Sequence, residues 1–356
     1  MKRPIAFALL LALLLPACAA QADPDTAQES IQVIAMDTAM LITTYGERSV
    51  PAAYACEDTI RDLEAKLSRT DPGSEVSRLN NAGGEPVEVG ADLERLLVLA
   101  LYYRYVTDGA FNINIAPVVS AWGFTTDLFR VPAQAELDEL LKRTQTEPEL
   151  IDFGDDFCLY ALEPGQSVDL GAIAKGYAAD KLVEVLQEYD VPRANISLGG
   201  NVLAYGDRPD GTPWRVGIQD PQRPGEQNAF AGVLELTNSF AVTSGGYQRY
   251  FEQDGKHYHH IIDPATGYPA DSGLASVTVV ADLGDGTAFP GTMCDAFSTA
   301  LFVMGEEKAL GFWRSWAGTA FELVLVTEDN RVAVTKGLAD RFTLDEDSGY
   351  TYEVVS

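Results

Sequence analysis

The order of periodic segments restricts the fold more than any other feature of the chain. Residues 172–189 carry apolar side chains at 174, 177, 178, 182, 185, 186 and 189, the spacing of an amphipathic helix. Residues 195–281 then break into short strands at Gly, Pro and Asp, and a second helical pattern opens at about residue 289, with apolar positions 293, 297, 300, 301 and 304. Upstream, 31–45 reads as a β segment rich in branched residues, 52–67, 91–107 and 133–143 as helices, and 149–170 as short strands. Further strands close the chain near 321–334. Helices and strands mix without the regular βαβ alternation of a doubly wound sheet. The expected class is α+β, with mixed, mainly antiparallel sheets and packed helices.

At the N-terminus, Lys2 and Arg3 precede the apolar run Ile5 to Leu15, which is too short to span a bilayer and typical of a secretory leader. The leader ends in Leu15-Pro16-Ala17-Cys18, which resembles the lipobox of bacterial lipoproteins, where the Cys is lipidated and becomes the mature N-terminus. Ordinary cleavage after Ala17 or Ala20 is the alternative, and both routes export the protein. The expected organisation is a leader over 1–17, lipidation at Cys18, a flexible tether over 18–30 and one domain over 31–356, held on the extracytoplasmic side of the bacterial cell envelope. Formal net charge is −28, and becomes −30 once Lys2 and Arg3 leave with the leader. Such acidity argues against nucleic acid or an anionic membrane patch as partner. Beyond Cys18 only Cys56, Cys158 and Cys294 remain, widely spaced, and they read as small buried hydrophobes rather than a disulfide framework or zinc site.

Four segments carry the chemistry. Asp295 and Thr299 lie one turn apart on the second helix, so a carboxylate and a hydroxyl project from one face, a pairing suited to a hard cation such as Mg2+. The ordinary alternative is an Asp near the helix start and a Thr bonding back to the backbone. In Val168-Asp-Leu-Gly-Ala-Ile-Ala-Lys-Gly-Tyr-Ala-Ala-Asp180, Lys175 falls in the first helical turn, where a cation is disfavoured unless an anion docks at the same end. Tyr177 and Ala178 stand where a P-loop requires Lys and Ser/Thr, so that motif is rejected. His257-Tyr-His-His-Ile-Ile-Asp-Pro-Ala-Thr-Gly267 holds all three histidines. His260 abuts the Asp-Pro-Ala-Thr-Gly turn, ready to donate to phosphate or accept a proton, with a satisfied structural histidine as the competitor. Finally, Ser197-Leu-Gly-Gly-Asn201 and Thr243-Ser-Gly-Gly246 place paired glycines at strand ends, where a ligand can approach backbone or a tight turn can form.

Taken together, these segments resemble the ApbE family of flavin transferases, which move FMN from FAD onto a Ser or Thr of an exported protein. The likeness also covers Met36-Asp-Thr38, Leu67-Ser68, Gly109-Ala-Phe-Asn112, Trp122-Gly-Phe124 and Trp214-Arg-Val-Gly-Ile218. It implies a FAD cleft between two subregions, with Mg2+ held by the Ala172 carbonyl and the side chains of Asp295 and Thr299. It implies FAD contacts from Met36, Thr70, Ala110, Phe111, Asn112, Asp169, Lys175 and His260. Catalysis would fall to His260, Asp295 and Lys175, with the proton acceptor open between His260 and a metal-side carboxylate. Asn112 and Ser298 stand where relatives carry Asp, and Thr70 where some carry Tyr. The expected partner is an exported redox-protein subunit presenting a Ser or Thr. A FAD hydrolase giving FMN and AMP, or a flavin-carrying lipoprotein, are the alternatives.

Overall fold

The computed structural model describes residues 27–126, 128–153, 157–316 and 320–356; the leader and Cys18 lie outside the described residues. Nine strands form the main sheet: β1 (Gln28–Ala35), β2 (Thr38–Tyr45), β3 (Arg193–Leu198), β4 (Asn201–Tyr205), β5 (Ser239–Gly245), β6 (Leu274–Asp282), β7 (Glu322–Thr327), β8 (Arg331–Thr335) and β9 (Thr351–Val355). Their order across the sheet is their order along the chain. Neighbours pair antiparallel as far as β8, and the last pair, β8–β9, is parallel. The protein is therefore α+β and mainly antiparallel. A meander needs no crossover helix, so the excursion between β2 and β3 is free to supply helices and part of the site.

Two sequence expectations shift here. β1 begins at Gln28, and Gln28, Glu29 and Ser30 pair with Tyr45, Thr44 and Thr43, so these three residues belong to the sheet rather than to a tether. The 31–45 segment is two strands, not one. It reverses at Met36 and Asp37, whose φ values of 49° and 58° are those of a two-residue hairpin turn. Neither Gly nor Asn marks that turn, which is why the sequence reads through it.

Side chains alternate across the sheet into two cores. On β5, Phe240 and Val242 enter one core and Ala241 the other; on β7, Leu323 and Leu325 enter the first, Val324 and Val326 the second. Among the described residues, the four helices of fifteen or more residues line the first core: α1 (Ser49–Leu67), α2 (Ala91–Val106), α3 (Ala174–Glu188) and α4 (Pro290–Met304). The second is closed by a small sheet of Trp214–Gln219, Phe230–Leu236 and Phe342–Leu344. α4 lies across β5 and β6 and alongside α3. Within Gly291–Phe302, Thr299 alone is not fully buried. Cys56, Cys158 and Cys294 are buried and form no disulfide among the described residues.

Candidate active site

Strand register gathers the glycine-bearing ends at one end of the sheet. Met40 pairs with Leu198, Leu198 with Asn201, and Asn201 with Val242, which places the start of β2, the end of β3, the start of β4 and the middle of β5 together, with the end of β5 running on past them. Gly199 and Gly200, with φ of 64° and 105°, form the β3–β4 turn, and a Cβ on Gly199 would stand 2.3 Å from Thr38 Oγ1. This pair is a tight turn packed on β2. Gly246 serves close approach instead, since a Cβ there would lie 2.8 Å from the His259 ring. The hairpin Tyr250–Gln253 and Lys256–His259 is thereby seated against the same sheet end.

α3 and α4 meet backbone to backbone. A Cβ on Gly176 would lie 2.2 Å from the Gly291 carbonyl, and one on Gly291 would lie 2.8 Å from the Gly176 carbonyl. Across this crossing, Gly176 N–H donates to Asp295 Oδ2 at 2.8 Å. A regular helix would send that N–H to the Ala172 carbonyl; among the described residues no donor takes that carbonyl. One turn further along α3, Asp180 caps α4. Its Oδ1 accepts from Gly291 N–H at 2.8 Å, and its Oδ2 from Thr292 N–H at 2.8 Å and Thr292 Oγ1 at 2.6 Å. Burial pushes the Asp180 carboxyl up to about 6, against the pull of those bonds. One turn beyond Asp295, Thr299 Oγ1 lies 3.2 Å from Ser244 Oγ, which also bonds Ser298 Oγ at 2.8 Å.

A carboxylate, clustered hydroxyls and an uncommitted carbonyl make an all-oxygen donor set, the chemistry that a hard cation takes. Among the described residues no three His, Cys, Asp or Glu side chains cluster as a metal cage. A cation here would therefore rest on one carboxylate with neutral oxygens, leaving positions for substrate phosphate, as is usual for Mg2+. The residues fit such an ion.

Lys175 directly precedes Gly176 on α3, and its charge acts on His260. Lys175 sits in the first turn of α3 with Nζ 3.1 Å from the Gly171 carbonyl. His260 Nδ1 is 3.1 Å from the Arg249 carbonyl. A carbonyl only accepts, so Nδ1 carries the proton and Nε2 is left with its lone pair. Burial depresses the His260 imidazole to about 4, with His259, Lys175 and Arg249 repelling its cation further. It is neutral at pH 7. His259 is the satisfied structural histidine: Nε2–H donates to the Ala270 carbonyl at 3.0 Å and Nδ1 accepts from Ile261 N–H at 3.2 Å. The Asp263–Gly267 turn is tied down by Trp122 Nε1, which donates to the Gly267 carbonyl at 2.7 Å and joins two motifs distant in sequence.

The sequence matches the ApbE family over residues 36–321. The chain belongs to the ApbE family. Relatives include proteins named FAD:protein FMN transferase from Treponema pallidum (strain Nichols), 34% identical over 325 residues covering 86% of this chain and 87% of that protein, and from Klebsiella pneumoniae (strain 342), 34% identical over 324 residues covering 90% and 96%. Among solved structures, the ApbE protein of Thermotoga maritima is similar with a TM-score of 0.76 at 30% identity, over 90% of this chain and 98% of that one.

The remaining positions singled out by the ApbE pattern fall into three kinds. Asp169 is an ordered anion: Oδ1 accepts from Gly171 N–H at 2.8 Å, and Oδ2 pairs with Arg69 Nη1 at 2.5 Å. Arg69 also donates to Ser120 Oγ at 2.7 Å and was not singled out from sequence. Met36 is half-buried at the β1–β2 turn with its N–H on Glu64 Oε1 at 2.6 Å, Thr70 is exposed, and Ala110 is half-buried. Phe111 and Asn112 are committed inward. Phe111 is 1% exposed and packs edge-on to Tyr103, so only its backbone remains to meet a ligand. Asn112 caps the short helix Ile113–Ile115 through Oδ1 and donates Nδ2–H to the Thr144 carbonyl at 3.1 Å. Its amide makes two bonds of which a carboxylate could make only the first, a local reason for Asn rather than Asp. Ser244 and Asp180 were also missed as site residues, although both stand inside motifs that the sequence marks.

Proposed function

We propose that this protein is an FAD:protein FMN transferase that moves FMN from FAD to a Ser or Thr hydroxyl of an exported protein and releases AMP. The observation that carries this is the meeting of the α3 start, the Asp295–Thr299 face of α4 and the Ser244 strand end around uncommitted oxygens, in a chain of the ApbE family. The hydroxyl oxygen forms a bond to the phosphorus on the FMN side, the bond from that phosphorus to the bridging oxygen breaks, and the bridging oxygen departs with AMP. Asp295, Thr299 and the Ala172 carbonyl would hold Mg2+, which when bound neutralises phosphate charge and orients the two oxygens. Lys175 supplies fixed positive charge beside the leaving oxygen. His260 Nε2 receives the hydroxyl proton; its neutral form and the anchoring of Nδ1–H on Arg249 support that assignment. Met36, Thr70, Asp169 and the backbone of Ala110–Asn112 would bind the remainder of FAD.

The leader and the Leu15-to-Cys18 pattern support export and lipid anchoring at Cys18. No described helix is long and apolar enough to cross a membrane. A Cys18→Ser chain should leave the membrane fraction, and its continued retention there would refute the anchor. The central test is intact mass of a Ser/Thr acceptor after incubation with the mature chain, FAD and Mg2+, with EDTA as control. A metal-dependent gain of one FMN with AMP release is expected. Free FMN and AMP without labelling would make the enzyme a FAD hydrolase, and intact bound FAD would make it a carrier.

A further inference from the structure

We infer that Asn201 is a further substrate-binding residue, whose side-chain amide donates a hydrogen bond to an acceptor oxygen of FAD; this rests on the proposed transferase function. Asn201 is 3% exposed, and its Nδ2 has no acceptor among the described residues. A buried amide donor left unmade costs about 1–3 kcal/mol, and an Asn that merely fills space is replaceable by an apolar residue of the same shape. The orphan therefore calls for a partner that arrives with a ligand.

Its position in the sheet points to which ligand. Asn201 opens β4 directly after the Gly199–Gly200 turn and pairs with Val242. Val242 enters the helix-side core, as does Leu203 two residues after Asn201. Asn201 therefore stands on the helix-side face. Ser244, two residues after Val242, stands on that same face and reaches Thr299. The amide is thus next to the hydroxyl cluster, at the sheet end that also holds the Met36 turn. FAD offers two kinds of oxygen acceptor there, the pyrophosphate and the flavin carbonyls, and both take an N–H donor.

The test uses the full mature chain and reads ligand-free stability beside affinity. For Asn201→Leu, thermal unfolding without ligand should be unchanged or move upward, because an unsatisfied buried donor has gone. FAD affinity, measured by calorimetry with Mg2+, should fall roughly threefold to tenfold, the share of one hydrogen bond. Asn201→Asp keeps the shape but turns an acceptor toward an acceptor, and should weaken FAD at least as much. ADP-ribose, which has the pyrophosphate without the flavin, separates the two sources: a parallel loss assigns the phosphate, and an unchanged affinity assigns the flavin. Wild-type affinity for FAD in both variants would overturn the Asn201 assignment while leaving the transferase reading intact. Failure of the wild-type chain to bind FAD would overturn both.

Discussion

At the scale of single residues, Asp295 has two roles that a careless substitution would confuse. Its Oδ2 accepts the Gly176 N–H at the helix crossing, and the carboxylate charge is what would hold a cation. Asp295→Ala removes both and strands a buried donor, so a loss of about 1–3 kcal/mol in stability should accompany loss of transfer. Asp295→Asn retains an acceptor oxygen and loses only the charge. Its unfolding midpoint should stay near wild type while Mg2+-dependent labelling disappears; full labelling would remove Asp295 from the metal site. The sequence showed the pair with Thr299 because one helical turn is a local relation. It did not show Ser244 or Gly176 as their partners, since those contacts join residues 55 and 119 positions apart. Phe111 illustrates the converse: its motif is visible in the chain, but only packing against Tyr103 shows that its ring is spent in the core.

At the scale of elements, the α3–α4 pair is set by two glycines and one carboxylate. Gly176→Ala would press a methyl to 2.2 Å from the Gly291 carbonyl, a backbone atom that yields only if the helices separate. That separation would move Asp295 away from the Ala172 carbonyl, so metal dependence should weaken together with stability. Gly311→Ala, which meets nothing within 4 Å on the following helix Glu306–Ser315, is the matched control and should leave metal dependence unchanged while raising stability by up to about 1 kcal/mol. Asp180→Ala would uncap α4 and leave two buried N–H groups and a hydroxyl without acceptors. A cost of roughly 2–4 kcal/mol is expected in urea unfolding, and a cost under about 1 kcal/mol would mean that the cap is not what seats α4. The helices themselves were legible from their apolar period. The short helices Glu75–Asn81 and Ala116–Trp122 were not, being too brief to show a period.

At the scale of the whole molecule, proton linkage follows from what the fold buries. His259 and His260 are both depressed to about 4 from an ordinary 6.5, chiefly by burial. Between those pH values the folded chain holds fewer protons at these rings than the unfolded chain, so stability rises with pH and is lost as pH falls. Asp180, raised from 3.8 to about 6, opposes them: its share falls as pH rises through that range. Two histidines against one carboxyl leave a net gain in stability from pH 4 to 6.5. Unfolding in urea at pH 5 and pH 7 should show it, and His259→Gln, which preserves one donor and one acceptor, should narrow the difference. An unchanged difference would mean that His259 already shares its protonation between the folded and unfolded states.

What the chain determined by itself is whatever depends on neighbours within a turn or two: the apolar period of α3 and α4, the Asp295–Thr299 face, the glycine turns, and the motif order that marks the ApbE family. What the tertiary structure alone decided is which of those groups are committed and which are left open. Register aligned Asn201 with Val242, a glycine crossing diverted the Gly176 N–H to Asp295 and freed the Ala172 carbonyl, and Arg249 fixed the tautomer of His260. A hydrogen-bonding group has one strong preference, to be satisfied, and local sequence cannot say by whom. Only the folded chain brings the competing partners within reach.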